Sequence, residues 1–162
     1  MSSLLLERCA DRPVRRLAPG DELVRQGDGA HEMFVLVDGP LEVVRDGTTI
    51  AAITDPGVVV GEIAFLLGTE PGATVRAVDD TTVHVVDDPV SFMADDPAVI
   101  AEIARVLARR LDRLSAYLAD VKTQYADAGG NLGLLDTVLS ELAFGEQAPV
   151  EAGSERDPDP RY

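Results

Sequence analysis

Cysteine is almost missing from this chain. The one residue present, Cys9, rules out an internal disulfide and fits a reducing, cytoplasmic setting. It reads as a packing residue on a short helix. Histidine is nearly as scarce: only His31 and His84 occur, far apart and without a His-x-His pair. The His and Glu clusters by which all-β metalloenzymes hold a metal are therefore lacking. Three acidic pairs (Asp79-Asp80, Asp87-Asp88 and Asp95-Asp96) recur every eight residues. None has EF-hand spacing, and turns and helix caps account for them. No metal site is assigned. No nucleophile–His–acid set and no Gly-rich triphosphate loop is present, so no catalytic residue is assigned and the chain is read as not an enzyme.

Basic residues are also few, 14 Lys and Arg against 29 Asp and Glu, giving a net charge of −15. Such a field repels nucleic acid and excludes it as a partner, since that binding rests on neutralising phosphates. No apolar run approaches the ~20 residues of a membrane span. The N-terminal Leu4-Leu5-Leu6 is followed at once by Glu7, unlike a secretory signal. No internal repeat is visible.

What is present suits one folded domain of 162 residues, with 46% apolar and 27% charged side chains. A short amphipathic helix over residues 2–11 ends at Pro13. From 14 to 88, short β-branched stretches alternate with Gly, Pro and Asp at regular intervals, the mark of an all-β sandwich or barrel. Candidate strands are Val14–Leu17, Glu22–Arg25, Met33–Val37, Leu41–Arg45, Thr48–Ile53, Thr74–Val78 and Thr81–Val86. Asp46-Gly47 is a strong hairpin signal, and Asp79-Asp80 is read as a second hairpin. No crossover helix separates the strands, so an antiparallel, rolled sheet is expected.

The stretch around which the rest is organised is Pro56–Ala77. The β-branched run Val58–Val60 stops at Gly61, and one apolar helical turn follows with Glu62 at its start. Glycine permits close approach of backbone or ligand. The first free amides of the turn, at Ile63, Ala64 and Phe65, would make an anion site, and Glu62 would accept from hydroxyls. The pattern suits a ligand with a phosphate and a sugar diol. A tight turn whose acid offsets the helix dipole is the plainer alternative.

Beyond Asp88 the pattern becomes helical. Pro89–Met93 is a short helix, and Asp95 or Asp96 caps the next, with Pro97 in its first turn. Leu107, Leu111, Leu114, Leu118, Val121 and Tyr125 then form a heptad seam. A helix over 97–126 would run ~40 Å, longer than its own barrel can cover, and a homodimer through this seam is expected. After a break at Gly129-Gly130-Asn131, Leu132–Phe144 reads as a terminal helix (131–144). Residues 145–162 read as a disordered acidic tail.

Taken together, residues 1–125 resemble the cyclic-nucleotide-binding domain family. The resemblance lies in Leu17-Ala18-Pro19-Gly20-Asp21, Arg25-Gln26-Gly27-Asp28, Phe34 to Val43, Pro56-Gly57, Gly61-Glu62-Ile63-Ala64-Phe65-Leu66 and Ala73-Thr74-Val75-Arg76-Ala77. It implies a β jelly roll over 1–96, flanked by the N-terminal helix and a long C-terminal dimerisation helix. The stretch at 56–77 would be the phosphate-binding cassette. Carried over, Glu62 takes the ribose hydroxyl. The backbone of Gly61, Ile63 and Ala64, with Gly72 and Ala73 completing the loop, takes the cyclic phosphate of cAMP or cGMP. Ser115 on the long helix falls where the family touches the base.

Two departures qualify this expectation. The family's phosphate arginine is missing: the equivalent stretch is Pro71-Gly72-Ala73, and no basic residue lies between Gly57 and Val75. Arg76 is a poor substitute, because that position faces solvent in the family. The residues after the long helix are also too few for the winged helix-turn-helix of the family's transcription factors. Two expectations follow: a stand-alone regulatory protein that binds a cyclic nucleotide or related phosphate weakly, or a degenerate domain acting as a protein-interaction module toward an unidentified protein.

Overall fold

The computed structural model describes residues 4–29 and 32–125, with the side chains of residues 124 and 125 excepted. The expected terminal helix (131–144) and acidic tail (145–162) lie outside the described residues.

The chain opens with helix α1 (Leu4–Arg8). Eight strands follow: β1 (Val14–Leu17), β2 (Glu22–Val24), β3 (Met33–Asp38), β4 (Leu41–Arg45), β5 (Thr48–Ile53), β6 (Val59–Val60), β7 (Thr74–Ala77) and β8 (Thr81–Val86). Helix α2 (Glu62–Leu67) is inserted between β6 and β7, and α3 (Pro89–Ala94) and α4 (Pro97–Tyr125) close the described chain. All strand pairings are antiparallel. They form two four-stranded sheets, ordered β1-β8-β3-β6 and β2-β7-β4-β5. This is the rolled antiparallel sheet expected from the strand spacing, and the jelly roll that the resemblance implies.

Among the described residues only β4 and β5 are joined as a hairpin within one sheet. At its tip Asp46 (φ 50°) and Gly47 (φ 77°) both take the left-handed conformation that a tight hairpin turn requires. The second hairpin, expected at Asp79-Asp80, is not formed. β7 lies in one sheet and β8 in the other, so these aspartates make a corner between sheets. Neither has a positive φ, which a two-residue hairpin turn needs. The corner packs tightly on its neighbour: a Cβ on Gly39 would stand 2.4 Å from the Asp80 carbonyl oxygen.

β3 explains the layering. Its apolar run is buried on both faces, as a central strand demands. Phe34 and Leu36 face the inter-sheet core with Leu17, Leu41, Val60, Val75 and Val83. Met33 and Val35 face the other way, toward Leu5 and Cys9 of the N-terminal segment, Phe92 and Met93 of α3, and Val99 and Ile103 of α4. Cys9 is thus a packing residue. Burial pushes its thiol up, against a smaller opposite effect of Arg12.

The acidic pairs serve local backbone. Asp88 caps α3 through its carboxylate, accepting from Ser91 N–H at 3.0 Å and Ser91 Oγ at 2.7 Å. Asp96 accepts from Ala98 N–H at 2.9 Å. The chain divides into two compact units inside α4, between Leu107 and Ala108, and each is described by itself. No helix among the described residues is long and apolar enough to cross a membrane.

Candidate functional site

The candidate site begins where β6 ends. Val60 pairs with Phe34, and the next residue, Gly61, turns the chain into α2 with φ +89°. A Cβ there would meet the Glu32 carbonyl oxygen at 2.7 Å. Gly61 is therefore required twice, by its left-handed conformation and by close approach of a neighbouring backbone. Phe65 N–H donates to the Gly61 carbonyl at 3.2 Å, the first helical hydrogen bond of the turn. The amides of Ile63 and Ala64 precede it, so the helix offers them no carbonyl. Gly68, also left-handed, ends the helix and donates to Phe65 O.

Glu62 is only 2% exposed. An acid that merely offsets a helix dipole sits in solvent; a carboxyl this deep is held by the fold. Ala64 is buried, and Phe65 packs against the core beneath α2. Ile63, Leu66 and Leu67, three and four residues apart, share an exposed apolar face.

The loop that follows carries Pro71 and Gly72 where the resemblance calls for a cation. Pro71 is buried, and its carbonyl accepts from Gly27 N–H at 2.9 Å. Gly72 is exposed, and a Cβ on it would meet nothing within 4 Å. Ala73 is half-buried just before β7. Arg76 is turned away. On β7, Val75 and Ala77 enter the core, so Arg76 stands on the outer face, where its Nε donates to Glu42 Oε1 at 2.5 Å. That bond, with a smaller one from Thr49, holds the Glu42 carboxyl below its usual range.

Sequence reasoning missed Arg15. On β1 it pairs with Val83, an inner-face residue. Its guanidinium lies 5.0 Å from the centroid of the Phe34 ring and 3.3 Å from Glu32 Oε2, the residue whose carbonyl abuts Gly61. No local signal marks it; only the order β1-β8-β3-β6 brings it there.

Gly61, Glu62, Ile63 and Ala64 thus stand in one turn, with Gly72 and Ala73 on the loop entering β7. Ser115 belongs to the second compact unit, and its hydroxyl donates to Leu111 O at 2.9 Å. His84 lies nearly buried on β8, with Nδ1 3.4 Å from Arg12 O. No cluster of three metal-ligating side chains occurs among the described residues.

The fold is shared with known proteins. A family model described as "Cyclic nucleotide-binding domain" matches residues 14–104, more than half of the chain. The acetyltransferase Pat of Mycolicibacterium smegmatis is 38% identical over 71 residues, which are 42% of this chain and 21% of that protein. The chain spans about a fifth or less of the curated relatives it matches. Among solved structures, the Thermus thermophilus catabolite activator protein superposes with a TM-score of 0.61 at 19% identity, over 88% of this chain and 85% of that one. The N-terminal domain of a transcriptional regulator from Streptomyces coelicolor A3(2) gives 0.50 at 26% identity, over 67% and 81%.

Proposed function

This chain belongs to the cyclic nucleotide-binding domain family, and from that premise we propose that it is a non-enzymatic, cytoplasmic regulatory module that binds a ribose-bearing ligand of the cyclic-nucleotide type weakly. The observation that carries the reading is Glu62, a carboxyl buried behind a left-handed glycine, at the position where the family takes the ribose hydroxyl. The amides of Ile63 and Ala64, with the Gly61, Gly72 and Ala73 backbone, would receive the phosphate of cAMP or cGMP. Weakness follows from Pro71-Gly72. A hydrogen bond to a charged group is worth ~1.5–3 kcal/mol, so its loss costs about one to two orders of magnitude in affinity.

We also propose a homodimer through α4. Leu111 and Leu114 are 44% and 48% exposed on the seam that Leu107, Leu118, Val121 and Tyr125 continue, and a second copy would cover them.

A second reading is favoured by one observation, the exposed apolar face Ile63, Leu66 and Leu67. In that reading the domain has lost its nucleotide and binds a protein there. Isothermal titration with cAMP and cGMP to millimolar ligand separates the two. Saturable heat is expected; its complete absence would leave the interaction module.

A further inference from the structure

We propose that the face of α4 carrying Arg109 and Arg113 is a docking surface for an acidic, proline-stiffened peptide, and that its occupant is this chain's own tail at Glu155–Pro160.

The two arginines stand out because nothing answers them. The chain holds 14 basic residues against 29 acids, so a cation here ordinarily finds a carboxylate close by. Arg8, Arg12, Arg15, Arg25, Arg76 and Arg105 each pair with one, the last with Glu102 on α4 itself. Among the described residues, the arginines without an ion pair are Arg16, Arg45, Arg109 and Arg113. Arg16 and Arg45 stand singly, on β1 and β4 of different sheets. Arg109 and Arg113 are both exposed and four residues apart on one helix. Side chains at that spacing lie one above the other, and like charges so placed destabilise a helix. Asp112 adjoins Arg113 in sequence but pairs with neither. The pair is therefore short of an anion in a chain otherwise rich in them.

This face stays open in the dimer proposed above. At 3.6 residues per turn, Arg109 and Arg113 lie across the helix from Leu111, Leu114 and Leu118. A second copy on the seam leaves them uncovered.

The matching anion belongs to the same chain. Glu155, Asp157 and Asp159 alternate with Arg156, Pro158 and Pro160. Proline fixes its own φ and drives the residue before it out of the helical region. The sequence Asp157-Pro158-Asp159-Pro160 therefore favours an extended backbone. Two residues of extended chain span about 6–7 Å, and four residues of helix rise about 6 Å. Asp157 and Asp159 thus match the spacing of Arg109 and Arg113, with guanidinium–carboxylate bonds as the contact. Reach is sufficient. From Tyr125 back to Arg113 and Arg109 is about 18–24 Å along the helix, and residues 126–156 as a flexible chain would span about 30 Å. Exposed ion pairs are weak singly, but a tether of this kind supplies a roughly millimolar effective concentration. Docking is therefore intramolecular, and salt should melt it.

The test is paramagnetic relaxation in the full chain, with a nitroxide on Ser154→Cys. Native Cys9 is buried, and wild-type chain treated with the same reagent is the control. At about 0.01 M salt, where the Debye length is ~30 Å, the amide signals of Arg109 to Arg113 should lose about half their intensity or more. At about 1 M salt they should recover. Asp157→Asn with Asp159→Asn should abolish the loss. Arg109→Gln with Arg113→Gln should do the same, with circular dichroism confirming that the helix is kept. Glu146→Gln with Glu151→Gln should leave it in place. The inference is overturned if no signal is lost at low salt, or if the loss survives high salt or either of the first two double variants. It is overturned too if Glu146→Gln with Glu151→Gln removes the loss equally, because the attraction would then be diffuse. A loss seen only between nitroxide-bearing and isotope-labelled copies, mixed together, would overturn docking within one chain.

Discussion

Gly61 stands before α2 and Gly72 in the loop after it, and they carry different burdens. At Gly61 the backbone is left-handed, and a methyl group would press to 2.7 Å from a carbonyl oxygen of β3's approach. At Gly72 there is open space and no positive φ. Gly61→Ala should therefore lose at least the ~1–2 kcal/mol that a left-handed L-residue costs, with more from the clash, and lower the thermal midpoint by several degrees. Gly72→Ala should stay within about 0.5 kcal/mol of wild type. Equal midpoints for the two variants would sink this account of the turn. The glycine and the acid beside it were legible in the sequence, because a β-branched run stopping at Gly-Glu has a local physical meaning. The depth of Glu62 was not. Its burial depends on Phe65 and Ala64 pulling α2 onto the core, and on the Glu32 backbone meeting Gly61. Residues 30 apart in sequence set that arrangement.

At the scale of elements, the apolar residues of α4 meet different surroundings along its length, and Leu107 of the expected seam packs on its own domain. Val99 and Ile103 are buried in the cluster outside β3, with Leu107 packed against it. Ile100, Leu111, Leu114 and Tyr117 remain exposed large apolar residues. A run of apolar residues on a solvated helix face offers a surface that a partner could cover. Leu114→Glu with Leu118→Glu should convert the proposed dimer to a monomer in sedimentation at tens of micromolar, with the β-sheet circular dichroism retained. A monomeric wild-type chain at that concentration would sink the dimer, and so would a double variant that stays associated. The strand boundaries were readable to within a residue or so, because Gly, Pro and Asp punctuate each one. The sheet partners were harder to read. Asp46-Gly47 announces a hairpin by its turn chemistry. Asp79-Asp80 looks similar by spacing alone, yet it joins two different sheets. The distinction lies in a positive φ that an Asp-Asp pair does not supply, and in a corner that Gly39 packs against.

For the whole molecule, a charge of −15 makes pH the natural probe of what holds it together. Three carboxyls are pulled below their ordinary values by contacts that exist only when folded. Glu42 is lowered first by Arg76 and then by Thr49, Asp88 by the side chain and N–H of Ser91, and Asp96 by the Ala98 N–H and then Arg8. In each case the unfolded chain binds protons more readily than the folded one. Their contribution is therefore complete at neutral pH and disappears as pH falls through the lowered folded values, below roughly pH 4. Cys9 works in the opposite sense. Burial raises its thiol, so the unfolded chain releases the proton first, and stability is lost as pH climbs beyond about 8.5 toward the folded value. The thermal midpoint should form a plateau between roughly pH 5 and 8, with a shoulder falling away on each side. Asp88→Asn should lower the plateau and soften the acid shoulder, since an amide caps more weakly and cannot be protonated there. Cys9→Ala should soften only the alkaline shoulder. An acid shoulder unchanged by Asp88→Asn would show that the α3 cap contributes nothing to the acid limb. An alkaline shoulder that persists in Cys9→Ala would remove the buried thiol as its cause.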